Sequence, residues 1–393
     1  MKAYLIIIAL ACLATGTRAQ SSVAEVLREV EQNNKELQAN QQLSDAGKWQ
    51  ARTENNLPDP SVSYTHQYGN KSELGVQGEL VASQSFDFPL VYAQRRQWVK
   101  AKSSAIDHQY GEVRERVLLQ AKEACLDLIL LNQQKQLLDI RRQNAEQLSA
   151  LYEMRLQNGD ANILETNKIN LELLNAKTEA RMNEAARVAK LQELAALNGG
   201  IPVAFADTVY SPIDLPLSFD ELRLEAMRSN VQLLSLKSEQ VAAERQIGVS
   251  KAMGLPGLEL GYRLNTAAGG ERFNGFIVGI SVPLFSNRHK VRQAKAENRS
   301  ARLQLENASF TVENELQTLY NQALSLRASM DEYDRIFHTQ NNLALLNKAI
   351  QAGQISMIEY FVDVTTYYQS MQNYFKLQNQ YQKVMAQLYR FRL

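Results

Sequence analysis

An internal duplication is the feature that most constrains how this chain folds. The segment Leu57–Tyr64 (LPDPSVSY) returns as Leu255–Tyr262 (LPGLELGY), and Gln157–Gly159 (QNG) returns as Gln351–Gly353 (QAG). Self-similarity at a nearly fixed spacing indicates two copies of one structural unit. Each copy has the same predicted order: a helix, two strands, a very long helix, a sharp glycine turn and a returning helix.

The duplication and the N-terminus define the expected domains. Lys2, an apolar run and small residues at positions 17 and 19 form the pattern of a signal peptide cleaved after Ala19. Lipid attachment at Cys12 is not expected, because apolar residues continue past it. The predicted boundaries are a signal peptide at 1–19, a first repeat at 20–200, a proline-bearing linker at 201–216 and a second repeat at 217–393.

The middle helix of each repeat is predicted to be exceptionally long. Val91–Gln157 and His289–Gln351 are barely interrupted in a chain of 393 residues with only 18 glycines and 8 prolines. At 1.5 Å per residue, each would be about 90 to 100 Å long. Spacings of three and four residues form a coiled-coil seam in the second of these helices, at Leu316, Leu319, Ala323, Leu326, Met330, Tyr333 and Phe337. We therefore expect antiparallel coiled-coil packing and assembly with further copies.

Four segments have the alternation of strands with one apolar face. Leu258, Leu260 and Tyr262 alternate with Glu259 and Gly261, which is a period of two. The predicted strands are about 61–68, 80–88, 258–265 and 275–283. Their length suits a tilted membrane-barrel strand, but four strands are too few to close a barrel, so several chains would contribute. The alternative is a pair of soluble hairpins that cap the coiled coil.

Prolines flank these strands in a recurring order. Pro58, Pro60 and Pro256 lie where the chain approaches a strand, and Pro89 and Pro283 lie where it leaves one. With the leader and the duplicated order of elements, this pattern resembles the TolC family of outer membrane efflux proteins over nearly the whole mature chain. The first-repeat sequence at residues 88–91 (FPLV) departs slightly from the second-repeat sequence at 282–285 (VPLF).

The resemblance implies a fold, an assembly and a location. The expected fold is mainly α with a membrane β-barrel, in which long antiparallel coiled-coil helices form a periplasmic tunnel. Four strands per chain would contribute to a trimeric, 12-stranded barrel in the outer membrane of a Gram-negative bacterium, in contact with its lipid. The implied partners are a periplasmic adaptor (membrane fusion) protein and an inner-membrane pump. The chain would be a passive exit duct for small molecules or metal cations.

The resemblance also implies sites at the two glycine turns. Gly159 and Gly353 are the expected adaptor-docking tips, since each must reverse the chain between long helices. Glu165, Glu359 and Asp363 are the matching candidates for a periplasmic gate. Asp363 is displaced by one residue from the family's second acidic position, where this chain has Val362. Ordinary solvated helix charges are the alternative for all three acids.

Composition and motifs exclude other classes. The 43 Lys and Arg residues against 42 Asp and Glu give a net charge of +1, without the basic excess of a nucleic-acid-binding protein. The four histidines form no metal-binding motif, and no phosphate-binding loop or catalytic constellation is present, so we expect no cofactor, no bound metal and no enzymatic activity. Two alternatives stay open: an exit duct for secreted polypeptides (type I secretion), and a soluble periplasmic coiled-coil adaptor or scaffold.

Overall fold

The computed structural model describes residues 22–71, 74–215, 218–339 and 342–393. The predicted signal peptide at 1–19, with Cys12, lies outside the described residues, and so do the last residue of the predicted linker, Pro216, and its neighbour at 217. Helices dominate the described chain, and one antiparallel sheet of four strands accompanies them. The predicted class, long helices with four strands per chain, is confirmed.

The same order of elements occurs twice along the chain. The first series is α1 (Val23–Asn33), α2 (Lys35–Thr53), β1 (Ser61–Tyr68), β2 (Val76–Phe86), α3 (Pro89–Gln157) and α4 (Ile163–Leu197). The second series is α5 (Phe219–Ser229), α6 (Val231–Ala252), β3 (Gly257–Thr266), β4 (Arg272–Ser281), α7 (Lys290–Thr339), α8 (Asn342–Gln351) and α9 (Met357–Leu388), followed by a 3-10 turn at Arg390–Arg392.

Asparagines interrupt the first helix of each series, where the sequence pattern predicts one continuous helix. Asn34 separates α1 from α2 and has extended backbone angles, φ −62° and ψ 121°. Asn230 separates α5 from α6 with φ −62° and ψ 116°. The side chain of Asn230 accepts a hydrogen bond from the Leu233 amide, and that of Asn34 donates to the Leu197 carbonyl. Asn230 thus satisfies an amide at the start of α6, and Asn34 satisfies a carbonyl at the end of α4.

The sheet has the strand order β1-β2-β3-β4 and one apolar face. Tyr64 pairs with Leu80, and Ala82 pairs with Tyr262, which in turn pairs with Phe276. Large exposed apolar side chains on this face are Val62, Tyr64, Tyr68, Val76, Leu80, Leu258, Leu260, Tyr262, Phe276, Val278 and Ile280. The opposite face carries polar side chains and an ion pair in which Arg263 Nε lies 2.9 Å from Glu79 Oε1.

The chain packs into two compact units, and each takes segments from both halves of the sequence. The tip unit contains the described residues up to Asn34, Gln120–Ile213 and Leu326–Lys383. The sheet unit contains Lys35–Leu119, Asp214–Ser325 and Val384–Leu393. Packing therefore places most corresponding elements of the two series in the same unit, such as the two strand pairs, whereas α1 belongs to the tip unit and its counterpart α5 to the sheet unit. The boundaries of the two sequence repeats stay a prediction.

Apolar stripes hold the long helices in place. All seven residues of the predicted seam on α7 are buried or half-buried. On α3 the matching stripe includes Val117, Ala121, Ala124 and Leu128, each at most 2% exposed. Cys125 adjoins this stripe and is fully buried, and burial, with a smaller effect of the Asp207 charge, raises the pKa of its thiol to about 12.

Side-chain amides fasten the segment after α4, which has no regular secondary structure, to the tip unit. Asn132 and Gln133 of α3 each donate a 2.9 Å hydrogen bond to a backbone carbonyl, that of Asp207 and that of Thr208 respectively. Gln382 of α9 donates to the Ser211 carbonyl at 3.5 Å. These bonds satisfy backbone groups that lack a helical or strand partner.

Candidate functional site

The two chain reversals of the tip unit have the same backbone structure. Gly159 and Gly353 have φ values of 78° and 69°. At the first turn the Asp160 amide donates to the Arg155 carbonyl at 2.8 Å, and the Gly159 amide donates to Leu156 at 3.1 Å. At the second turn Gln354 donates to Ala349 at 2.8 Å, and Gly353 donates to Ile350 at 3.1 Å. This pair of bonds is the Schellman motif, which ends a helix at a residue in the left-handed region.

Glycine is required at both turns by the backbone rather than by crowding. A Cβ added at Gly159 or Gly353 would meet nothing within 4 Å. A positive φ, however, is costly for most side chains and least so for asparagine and aspartate. The space around both glycines is therefore open to solvent, and their backbone conformation depends on the glycine itself and not on packing.

A capping box starts α4 directly after the first turn. The Asn162 side chain accepts a 3.0 Å hydrogen bond from the Leu164 amide, and the Glu165 carboxylate accepts one from the Asn162 amide at 3.1 Å. Glu165, predicted as a gate acid, thus has a local role at the N-terminus of α4, where its negative charge also faces the positive end of the helix dipole.

The same device starts α9 after the second turn. The Ser356 amide donates to the Glu359 carboxylate at 2.8 Å, and the Glu359 amide donates to Ser356 Oγ at 3.2 Å. The bond from the Ser356 amide, with that from its hydroxyl, lowers the pKa of Glu359. The sequence analysis missed both caps, although N-x-x-E at 162–165 and S-x-x-E at 356–359 follow the capping-box pattern.

One apolar cluster lies under both turns. Its buried members are Leu137, Leu148, Tyr152, Ile169, Ile350, Met357, Tyr360, Val364 and Tyr368, from α3, α4, α8 and α9. Ala161 and Ile355, one residue before each cap, pack against it. The structure therefore brings the two predicted tips, with Glu165 and Glu359, to one end of the tip unit around a shared core.

Arg141 forms a polar junction within this core. Its guanidinium donates to Glu172 at 2.7 Å and to Glu179 at 2.8 Å, and it lies 5.4 Å from the ring centre of Tyr368. Burial alone would lower the pKa of Arg141, but the hydrogen bonds and charges of the two glutamates outweigh it and raise the pKa. Arg141 thus links α3 to α4 by ion pairs and to α9 by a cation–π contact. The sequence did not predict this role, and its only local signal is a pair of arginines, Arg141 and Arg142, between the buried residues Leu138 and Ala145.

Tyrosine hydroxyls make further polar contacts of α9. Tyr360 donates to Asn347 at 2.7 Å, and Tyr374 donates to Asp334 at 2.5 Å. Tyr368 accepts a 3.3 Å bond from Asn144. Burial raises the pKa of Tyr360 and of Tyr374, so both hydroxyls keep their protons at neutral pH. Hydroxyls rather than ion pairs therefore supply these links between α9 and its neighbours.

Asp363 has different surroundings from the other two acids. It lies one turn after Glu359 on α9, is exposed, and lines an open groove with residues of α7 and α8. It has no hydrogen bond or ion pair with the described residues. Glu165 and Glu359 are thus held by their helix caps, whereas Asp363 is not.

The predicted prolines lie at the borders of the strands. Pro60 and Pro256 directly precede β1 and β3, and Pro58 lies in the segment before β1. Pro89 is the first residue of α3, where a missing amide hydrogen costs nothing. Pro283 lies two residues after the end of β4. Their proposed importance for strand placement stays a prediction.

The described residues contain neither a membrane-spanning helix nor a group of metal ligands. No described helix is both long and apolar enough to cross a bilayer. Within the same residues, no three His, Cys, Asp or Glu side chains are grouped as metal ligands would be.

Comparisons with known proteins relate the chain to outer-membrane channels. Residues 222–391 match the model of the family described as outer membrane efflux protein. A membrane protein from Pseudomonas aeruginosa has a TM-score of 0.77 at 17% identity, over 94% of this chain and 89% of that one. CusC has a TM-score of 0.77 at 17% identity, over 94% and 92%. The Campylobacter jejuni CmeC outer membrane channel has 0.69 at 15%, over 94% and 85%. These structures share the fold, and no curated protein sequence matches the chain.

The Glu359 cap predicts a pH dependence at the start of α9. Because its pKa is lowered in the folded state, the carboxylate stabilises this turn above the ordinary glutamate pKa, and the contribution is lost as pH falls through the lowered value. Hydrogen exchange of amides 360–362, corrected for intrinsic rates, should show protection that falls below about pH 4.5. Glu359→Gln should remove the pH dependence, whereas Asp363→Asn should keep it. Equal protection of the wild-type turn at pH 7 and pH 3 would contradict the role of the cap.

Proposed function

We propose that this chain, whose residues 222–391 belong to the outer membrane efflux protein family, forms the outer-membrane exit duct of a tripartite efflux pump. The resemblance expected from the sequence is confirmed. The duct would be a passive channel, without enzymatic activity, that carries small molecules or metal cations from an inner-membrane pump to the exterior. Its helices would lie in the periplasm of a Gram-negative bacterium.

The observation that carries this proposal is the incomplete sheet. Strands β1 and β4 each have a partner on one side only, so both edges of the four-stranded sheet offer unpaired backbone groups. One face exposes large apolar side chains, among them Phe276 at 89% and Val278 at 77%. In lipid such edges cannot stay open, because every backbone group there needs a partner, and in water they invite pairing with another chain. Pairing β4 of one chain with β1 of the next, three times, closes a 12-stranded barrel.

The two faces of the sheet fit this arrangement. The apolar face would contact lipid, and the face with Glu79 and Arg263 would line a watery interior. Tyr68, the last residue of β1 before the hairpin loop, would lie at the lipid boundary, where aromatic side chains are favoured. A soluble hairpin would leave the same apolar face without a partner.

The junction at Arg141 supports a way of opening the tip. Arg141 holds α3 and α4 together through two glutamates, whereas it contacts α9 only through the ring of Tyr368. A cation–π contact contributes about 0.5 to 2 kcal/mol, a neutral hydrogen bond such as that of Tyr360 to Asn347 about 0.5 to 1.5 kcal/mol, and one to a carboxylate, such as that of Tyr374 to Asp334, about 1.5 to 3 kcal/mol. Each of these links of α9 is a single contact, whereas Arg141 holds α4 through two glutamates at once. In our proposal α9 moves and the α3–α4 pair stays, when an adaptor and the pump engage the tips.

The trimer is the first property to test. We expect the protein, extracted from purified outer membranes in mild detergent, to have the native mass of three chains that lack residues 1–19. The membrane fraction of cells that lack the gene is the control for contaminating channels. A monomer found only in the soluble periplasmic fraction would contradict the duct and favour the coiled-coil scaffold.

The proposed gate acids predict the ion selectivity of the closed duct. Glu165→Gln, Glu359→Gln and Asp363→Asn, combined, keep capping-capable side chains and remove three charges per chain. In planar bilayers the cation-to-anion permeability ratio should fall severalfold, because rings of carboxylates favour cations at a constriction. Glu306→Gln on α7 is the matched control in the sheet unit and should leave the ratio unchanged. The same ratio in the triple variant and the wild type would remove these acids from the gate.

The glycine turns predict how export depends on the tip backbone. Gly353→Val should abolish export of a pump substrate, because a β-branched residue cannot hold φ near 69°. Gly353→Asn, which tolerates this conformation, should retain most of the export. Native mass and membrane content of both variants control for misassembly. Normal export by a correctly assembled Gly353→Val trimer would refute docking at this turn.

A further inference from the structure

We propose that the groove between α7, α8 and α9 binds amphiphilic organic cations, one in each chain. The groove holds about 530 Å³, within the range of sites for drug-sized molecules. Its walls come from one chain and lie within the tip unit. The lining residues are Ile336, Phe337, Leu345, Leu346, Ala349, Asp363, Thr366, Tyr367 and Ser370.

The apolar walls form a pocket for a hydrophobic body. Ile336 and Leu345, which both line the groove, are 58% and 63% exposed. Phe337 and Tyr367 contribute rings packed edge to face, with centres 6.2 Å apart. Covering these side chains with an apolar ligand would remove their surface from water, at about 25 cal/mol for each Å².

Asp363 supplies the charge that selects a cation. It is the only carboxylate among the described residues that line the groove, which include no lysine, arginine or histidine. Arg335 and Lys348, the nearest basic residues along α7 and α8, do not line it. The Asp363 carboxylate makes no hydrogen bond or ion pair with the described residues. The positive charge of a ligand would pair with the Asp363 carboxylate, and the apolar part of the same ligand would cover the apolar walls of the groove.

The lining also disfavours an apolar protein surface as the occupant. Packing such a surface over the groove would bury the Asp363 carboxylate without a counter-charge, which costs several kcal/mol. Thr366 donates its hydroxyl to the Val362 carbonyl at 2.8 Å and so offers only acceptor capacity to a ligand. Acceptors around a carboxylate match a cation that carries N–H groups or a diffuse positive charge.

The identity of the ligand as cargo rests on the proposed function, but the site itself does not. If the chain is an exit duct, amphiphilic cations would meet this groove beside the periplasmic tips. Weak binding, with a Kd of about 10 μM to 1 mM, would hold such molecules briefly and still release them.

Titration of the purified full chain with tetraphenylphosphonium tests the site. The protein would be held in nanodiscs of zwitterionic lipid, with empty nanodiscs as the reference for partitioning into lipid. We expect saturable binding of one cation per chain. Asp363→Asn should weaken it about tenfold, and Leu345→Ser should weaken it severalfold by opening the apolar wall. Neutral triphenylphosphine oxide should bind more weakly and should not respond to Asp363→Asn.

Two matched variants separate the groove from general effects. Glu332→Gln removes an exposed charge of α7 one turn before Ile336 that does not line the groove, and Leu164→Ser removes an exposed leucine of α4 that does not line it either. Both should bind tetraphenylphosphonium within about twofold of the wild type. Equal affinity in wild type and Asp363→Asn, or an equal loss in Glu332→Gln, would overturn the proposal. The groove belongs to a single chain, so its binding does not require a trimer. If a protein that fails to trimerise still binds tetraphenylphosphonium, the duct is refuted and the binding site is retained.

Discussion

The structure depends on covering the apolar stripes of very long helices. A helix such as α3, with 69 residues, cannot bury its stripe against a compact core and must run beside another helix along its length. Chain reversals at both ends of these helices provide the partners. The Schellman turns at Gly159 and Gly353 reverse the chain direction. The capping boxes that follow begin the next helix within a few residues. The shared apolar cluster beneath the turns then joins the two reversals within the tip unit.

Local patterns predicted the elements well, and their interruptions less well. Alternation at residues 258–265 predicts β3, and the glycines of the QNG and QAG segments predict both reversals, because these signals depend on neighbouring residues only. The breaks at Asn34 and Asn230 were not predicted, since the helical pattern continues on both sides of each. β2 begins at Val76 rather than near residue 80, because cross-strand pairing with β1 extends it into a segment with weak alternation.

The candidate site could be predicted only in part, for a physical reason. The tips and their acids follow from the turns, but the junction at Arg141 needs partners at positions 172, 179 and 368, which only the packed helices bring together. Local analysis could have found the capping role of Glu165 and Glu359, whose partners are three residues away. A carboxylate that starts a helix is also held at one place by its cap. Glu165 and Glu359 can therefore each cap a helix and also line an ion path. The structural and the functional interpretation of these acids are compatible.

Cys125 has a consequence for experiments on moving parts. Its thiol is fully buried, and burial raises its pKa far above that of a free cysteine, so at neutral pH it stays in the unreactive protonated form. It is also the only cysteine of the sequence after Cys12, which lies within the predicted signal peptide. A spin label or fluorophore directed at a new surface cysteine would therefore attach almost exclusively there. The natural chain thus offers a silent background for measuring distances between helices, with no need to replace Cys125 and disturb its packing.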